Sequence, residues 1–80
     1  MKDVTPDAEL DTCGLICPLP VLKARKRLQS LPPGGVLHVL ADDPAAAIDF
    51  PHFCAEQGHD LLSESVGDDG QLGFLIRRKA

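Results

Sequence analysis

The stretch Cys17-Pro18-Leu19-Pro20 constrains the fold of this chain more than any other, because it determines where the first helix begins. An amphipathic pattern starts directly after it, and proline is favoured at the first position of a helix, where its missing N–H group costs nothing. The pattern therefore predicts Cys17 at the N-cap and Pro18 at the first helical position, with Pro20 stiffening the first turn.

A cysteine at a helix N-terminus is a candidate nucleophile. Unpaired N–H groups and the helix dipole place roughly half a positive charge there, which can lower a cysteine pKa from about 8.5 to about 3.5–7.5. On this interpretation Cys17 forms an accessible thiolate. The same residues allow a second interpretation, in which Cys17 is a small buried apolar residue and the prolines only begin a helix.

Hydrophobic periodicity divides the chain into alternating strands and helices. Strand patterns at residues 8–12 and 36–41 are each followed by a helix pattern, at 18–30 and at 44–57. Asp43 is the expected N-cap and Pro44 the expected first residue of the second helix, which Pro51 should bend or split and Gly58 should end. Two further strands, at 61–66 and 71–78, flank a turn at 67–70.

The element order βαβαββ predicts an α/β (α+β) two-layer sandwich with a four-stranded mixed sheet. Right-handed crossovers that step in the same direction place both helices on one face of that sheet. The strand patterns agree with this arrangement, since one face is apolar and the other is mixed. The predicted apolar face consists of Leu37, Val39, Leu72, Phe74 and Ile76.

The bulk properties indicate one small domain over residues 1–80, with residues 1–7 loosely held. No apolar run is long enough to span a membrane, and the first residues lack the apolar core of a signal peptide. Three cysteines are an odd number, which suits reduced thiols and a cytoplasmic protein. A net charge of −4 argues against a dedicated nucleic-acid binder.

Two groups of residues near Cys17 are candidates for docking a partner protein. Leu15 and Ile16 are apolar and do not belong to the apolar face of the first helix. Either could instead pack against the end of the sheet. Four cations of the first helix form the second group, and a merely solvated helix face is the alternative for each. These cations are Lys23, Arg25, Lys26 and Arg27.

Asp42 and Asp43 follow the second strand, and the ends of parallel strands meet at one edge of a sheet. We therefore expect both acids to share an edge with Cys17, and to cap a helix rather than to catalyse. An acid close to Cys17 would oppose ionisation of its thiol.

In their order along the chain, several segments resemble the TusA/SirA-like family of small sulfur-carrier proteins. They are Gly14-Leu15-Ile16-Cys17-Pro18-Leu19-Pro20, Ala41-Asp42-Asp43-Pro44, Phe53-Cys54, Gly58-His59-Asp60-Leu61 and Phe74-Leu75-Ile76-Arg77.

The resemblance covers about residues 9–79 and implies the same two-layer architecture. It also implies that Cys17 carries sulfur as a covalent persulfide, without another cofactor. The sulfur would come from a cysteine desulfurase or a rhodanese-like protein and pass to an acceptor such as a DsrE-like protein. Members of the family act in tRNA thiolation, molybdenum-cofactor maturation and sulfur oxidation, and the sequence selects none of these. A monomer or a weak dimer is expected.

Cys13 leaves alternatives open. It could attack a Cys17 persulfide and form a disulfide, which would make the chain a dithiol redox protein, or it could be a passive thiol. A non-catalytic module that binds RNA or an acidic protein is a further alternative. Cys54 is expected in the core, and no metal site is expected because the cysteines and histidines lack the paired spacing of zinc modules.

Overall fold

The computed structural model describes residues 5–79 and confirms the predicted order βαβαββ. Strand β2 pairs in parallel with β1 and antiparallel with β4, and β3 pairs antiparallel with β4. The sheet therefore has the mixed order β1-β2-β4-β3. The elements are β1 Ala8–Asp11, α1 Leu19–Gln29, β2 Val36–Ala41, α2 Ala46–Gln57, β3 Asp60–Val66 and β4 Leu72–Arg77.

Both helices pack on the predicted apolar face of the sheet and share one core with it. Leu37, Val39 and Ile76 are fully buried, and Leu72 packs partly buried against them. The rings of Phe50 and Phe74 stack with their centroids 4.6 Å apart, which joins α2 to the middle of the sheet. Phe50 and Phe74 are the two largest fully buried side chains of residues 5–79, so their contact is a central part of the core.

Both helices begin later than predicted, because the prolines lie in tight turns that precede them. The Leu19 N–H donates to the Ile16 carbonyl at 2.9 Å, so α1 has Pro18 as its N-cap and Cys17 lies one residue outside the helix. The Ala46 N–H donates in the same way to the Asp43 carbonyl, and α2 has Ala45 as its N-cap. The predicted N-cap positions of Cys17 and Asp43 are therefore wrong.

Pro51 was predicted to bend or split α2 near Phe50; the helix is continuous across Pro51, so of these two effects the split is wrong. A proline at this position cannot donate to the carbonyl of Ala47, but Ala47 is exposed and water can satisfy that carbonyl. Gly58 ends the helix as predicted, with a φ of 78° in the left-handed region.

The connections agree with the predicted turns. The Gly70 N–H donates to the Gly67 carbonyl in the hairpin between β3 and β4.

Residues 1–7 were expected to be loosely held, and residues 1–4 of this segment lie outside the described residues. Asp7 is tied to the start of β2: its N–H donates to the Val36 carbonyl, and its carboxylate accepts from the Val36 N–H. Neither helix within residues 5–79 is long and apolar enough to cross a membrane.

Candidate functional site

The segment that bears Cys17, residues 12–18, leaves the end of β1 and is anchored to the end of β2. The Thr12 N–H and the Thr12 hydroxyl both donate to the Leu40 carbonyl, at 2.7 and 2.6 Å. Thr12 is fully buried, so water does not compete for these bonds. The segment therefore starts from a fixed point beside β2.

Asp42 and Asp43 hold the rest of this segment, which confirms that they share an edge of the sheet with Cys17. The Gly14 N–H donates to both carboxylate oxygens of Asp42, at 3.0 and 3.1 Å. The Cys17 N–H donates to Asp43 Oδ2 at 2.7 Å, while Asp43 Oδ1 accepts from the Ala45 N–H. These bonds to the charged form lower the pKa of Asp43. Asp43 thus caps the turn before α2 and also fixes the backbone of Cys17.

The Cys17 side chain is exposed, which excludes the interpretation of a buried apolar residue. It lies at a cleft of about 210 Å³ between the beginning of α1 and one face of α2. We call this the Cys17 cleft. Its other lining residues are Pro18, Val21, Asp49, His52, Phe53 and Glu56.

The pKa of the Cys17 thiol is raised above its ordinary value of 9.0, so the predicted lowering is wrong. The neighbouring Asp49 carboxylate is the largest cause of this raised pKa, followed by lost hydration and by the charge of Asp43. The thiol also lies outside α1, which leaves the helix N–H groups less able to stabilise an anion. At neutral pH the Cys17 thiol is therefore protonated in most molecules.

Asp49 is the cleft residue beside the thiol that the sequence analysis missed. It lies in the first turn of α2 and shares one face of that helix with His52 and Glu56, at a spacing of three and seven residues. That spacing is visible in the sequence. What the sequence does not show is that this face of α2 packs beside the beginning of α1.

The apolar residues near Cys17 differ in exposure. Ile16 is 70% exposed, as a docking residue should be, whereas Leu15 is half-buried. Leu19 and Leu22 are 43% and 50% exposed and continue from Ile16 at intervals of three residues. We call these three exposed residues, Ile16, Leu19 and Leu22, the apolar row.

The four cations of α1 do not form one face. Lys23, Lys26 and Arg27 line a groove of about 300 Å³ with Leu10 of the edge strand β1, and we call it the basic groove. Arg25 lies elsewhere and lines a separate cleft with Arg78 and Lys79. Residues 23, 26 and 27 share a helix face, and residue 25 does not.

The other two cysteines have no part in the Cys17 cleft. Cys13 is half-buried, and its Sγ accepts a hydrogen bond from Gln71 Nε2 at 3.3 Å. Cys54 is in the core as expected, where burial raises its pKa to about 11. All three thiols are free, and residues 5–79 contain no group of three potential metal ligands.

Comparison with known proteins points to one family. The family model described as Sulfurtransferase TusA matches residues 8–78. A sulfur carrier protein TusA of Pseudomonas syringae is 41% identical over 80 residues, which cover all of this chain and 94% of the relative. The protein of that name from Allochromatium vinosum is 46% identical over 72 residues, 90% of this chain and 93% of the relative.

A solved structure shows the same fold. The crystal structure of a SirA-like protein from Desulfitobacterium hafniense superimposes with a TM-score of 0.80 at 27% sequence identity. The match covers 91% of this chain and 99% of that protein. The two-layer architecture expected from the sequence is therefore confirmed.

Proposed function

Since the chain belongs to the TusA family of sulfurtransferases, we propose that it is a sulfur carrier that accepts sulfur from a donor protein as a persulfide on Cys17 and passes it to an acceptor protein. The observation that carries the assignment to Cys17 is its exposure. Cys13 is half-buried and Cys54 is buried, so Cys17 is the one thiol of the three that a partner protein can reach without rearrangement.

The chemistry is an exchange between two sulfur–sulfur bonds. The Cys17 sulfur attacks the terminal sulfur of a donor persulfide, a new S–S bond forms, and the S–S bond of the donor breaks. The donor sulfur leaves as a thiolate and takes up the proton that Cys17 has lost. Nothing is oxidised or reduced overall, and the transferred sulfur needs no further cofactor to hold it.

A donor of the cysteine desulfurase or rhodanese type would dock over the apolar row and the Cys17 cleft, and a DsrE-like acceptor would use the same surface. A standard interface covers roughly 800 Å² on each partner. The two larger dimensions of the molecule are 31 and 29 Å, so a footprint of that size around Cys17 also reaches the basic groove. A cytoplasmic location, where cysteine thiols stay reduced and ready to accept sulfur, is in keeping with this role.

Intact-mass spectrometry tests this function. The chain is incubated with a cysteine desulfurase and cysteine, or with a rhodanese-like protein and thiosulfate, and the gain of one sulfur atom is measured. We expect the gain on Cys17, its loss on reduction, and its absence from Cys17→Ser. Cys13→Ser is the matched control and should still be loaded.

Two outcomes would contradict the proposed function and indicate a different one. A loss of two hydrogen atoms that requires both Cys13 and Cys17 would indicate a dithiol redox protein. No gain of sulfur from either donor, together with salt-sensitive binding of RNA, would indicate a non-catalytic binding module.

A further inference from the structure

The Cys17 cleft combines apolar walls with carboxylates at its rim. Pro18 and Val21 of the α1 side face Phe53 of α2 across it. Helix α2 supplies both carboxylates. That of Asp49 lies beside the thiol, and that of Glu56 lies two helical turns further along α2. A cleft of this kind fits a side chain that is apolar along its stem and charged at its tip.

The charge of the cleft is not balanced by its own residues. Of residues 5–79, no lysine or arginine lines it. Within the described part of the lining, His52 is the one titratable group besides the thiol and the two acids, and its Nε2 lies 3.5 Å from Glu56 Oε2 on the same helix. His52 therefore lies next to Glu56, and among the residues that the structure describes no cation pairs with Asp49 beside the thiol.

We propose that the sulfur donor inserts a lysine or arginine side chain into the Cys17 cleft, where its cationic tip pairs with Asp49 beside the Cys17 thiol. This inference rests on the proposed function, because it names what the donor must bring to that site. The aliphatic stem of the side chain contacts Pro18, Val21 and Phe53. Complementary charge of this kind selects a partner and fixes its orientation.

Docking then changes the state of the thiol. In the free carrier the Asp49 carboxylate opposes ionisation of Cys17, so the thiol resists oxidation and reaction with stray electrophiles. A donor cation that pairs with Asp49 withdraws that carboxylate from the thiol and favours the thiolate. The nucleophile therefore forms in the complex, where the donor persulfide is within reach.

The test compares Asp49→Asn with wild type, using two sources of sulfur. One source is the donor protein that loads the wild-type chain, and the other is inorganic polysulfide, which offers no cationic side chain. We expect loading by the donor protein to slow by about tenfold or more, because one partner of a charge pair is removed. Loading by polysulfide should be as fast as wild type or faster, because the thiolate is less opposed.

Two further variants complete the experiment. Asp68→Asn removes the same charge in the hairpin turn, at a residue that does not line the cleft, and should behave as wild type with both sources. Asp49→Glu keeps the charge and should recover most of the loading by the donor protein. Circular dichroism checks that each variant is folded.

The proposal is overturned if the donor protein loads Asp49→Asn as fast as wild type. It is also overturned if both sources slow equally, because Asp49 would then act on the thiol alone. Different results would contradict the proposed function itself. These are that neither source loads the wild type, or that Cys17→Ser is still loaded.

Discussion

The Cys17 N–H and the Asp43 carboxylate are joined by a hydrogen bond of 2.7 Å, which ties the residue that bears the thiol to the end of β2. The same carboxylate caps the turn that leads into α2 through the Ala45 N–H. One side chain therefore sets the position of Cys17 relative to the helix that supplies the other wall of its cleft.

The pH dependence of stability should report this bond. The pKa of Asp43 lies below its ordinary value of 3.8, because its charged form accepts the N–H groups of Cys17 and Ala45. A group of this kind stabilises the fold above its unfolded-state pKa, and the stabilisation is lost as the pH falls through its folded-state pKa. Asp43→Asn should therefore unfold at lower urea concentration than wild type at neutral pH, and the difference should shrink well below pH 3.8. An equal difference at both pH values would contradict this account.

The stacked rings of Phe50 and Phe74 predict a large loss of stability in Phe50→Ala. Truncating a buried phenylalanine costs about 3–5 kcal/mol. A domain of 80 residues has a free energy of unfolding of roughly 4–12 kcal/mol, so much of it would be lost. Ile48→Ala is the control, because Ile48 is 75% exposed two residues away and its truncation should change stability by no more than about 0.5 kcal/mol. Urea unfolding measures both.

The three thiols should differ in their rates of alkylation. Iodoacetamide should label Cys17 first in the folded protein and Cys54 last, because Cys17 is exposed and Cys54 is buried with a pKa of about 11. The rate at Cys17 should still rise as the pH passes 9.0, since its pKa is raised. Peptide mass mapping identifies the labelled residue. A rate at Cys17 that is already constant at neutral pH would show that the thiol is ionised there.

The basic groove predicts a dependence of sulfur loading on charge and salt. The triple variant Lys23→Ala, Lys26→Ala and Arg27→Ala should accept sulfur from the donor protein several-fold more slowly at low salt, because charged rims speed association. Added salt should reduce the difference between this variant and the wild type. Arg25→Ala serves as the control, since Arg25 lines another cleft. Equal effects of the triple and the single variant would contradict a role for the groove.

The elements of this fold could be predicted from the sequence because their signals are local. The alternation that defines β2 at Val36–Ala41 depends only on neighbouring residues, and its predicted bounds are the observed ones. The start of α1 was wrong by one residue, because Pro18 is equally suited to the first helical position and to the turn before it. Because α1 begins one residue later than predicted, Cys17 lies outside the helix and not at its N-cap.

The chemistry of the site depends on contacts between distant residues, which local patterns do not show. Asp49 is 32 residues from Cys17 along the chain, and it affects the thiol only because α2 packs beside α1. The shared edge with Asp42 and Asp43 was predictable from the parallel pairing of β1 and β2. The separation of Arg25 from Lys23 and Lys26 also follows from helical spacing alone, so it was predictable from the sequence.

The bonds from Asp42 to Gly14 and from Asp43 to Cys17 leave the backbone around the thiol already fixed before any partner arrives. On the proposed function, we expect this backbone to keep its geometry when sulfur is added to Cys17. If donor and acceptor use that one surface, as proposed, they bind in turn, and the added sulfur atom distinguishes the form that each should bind.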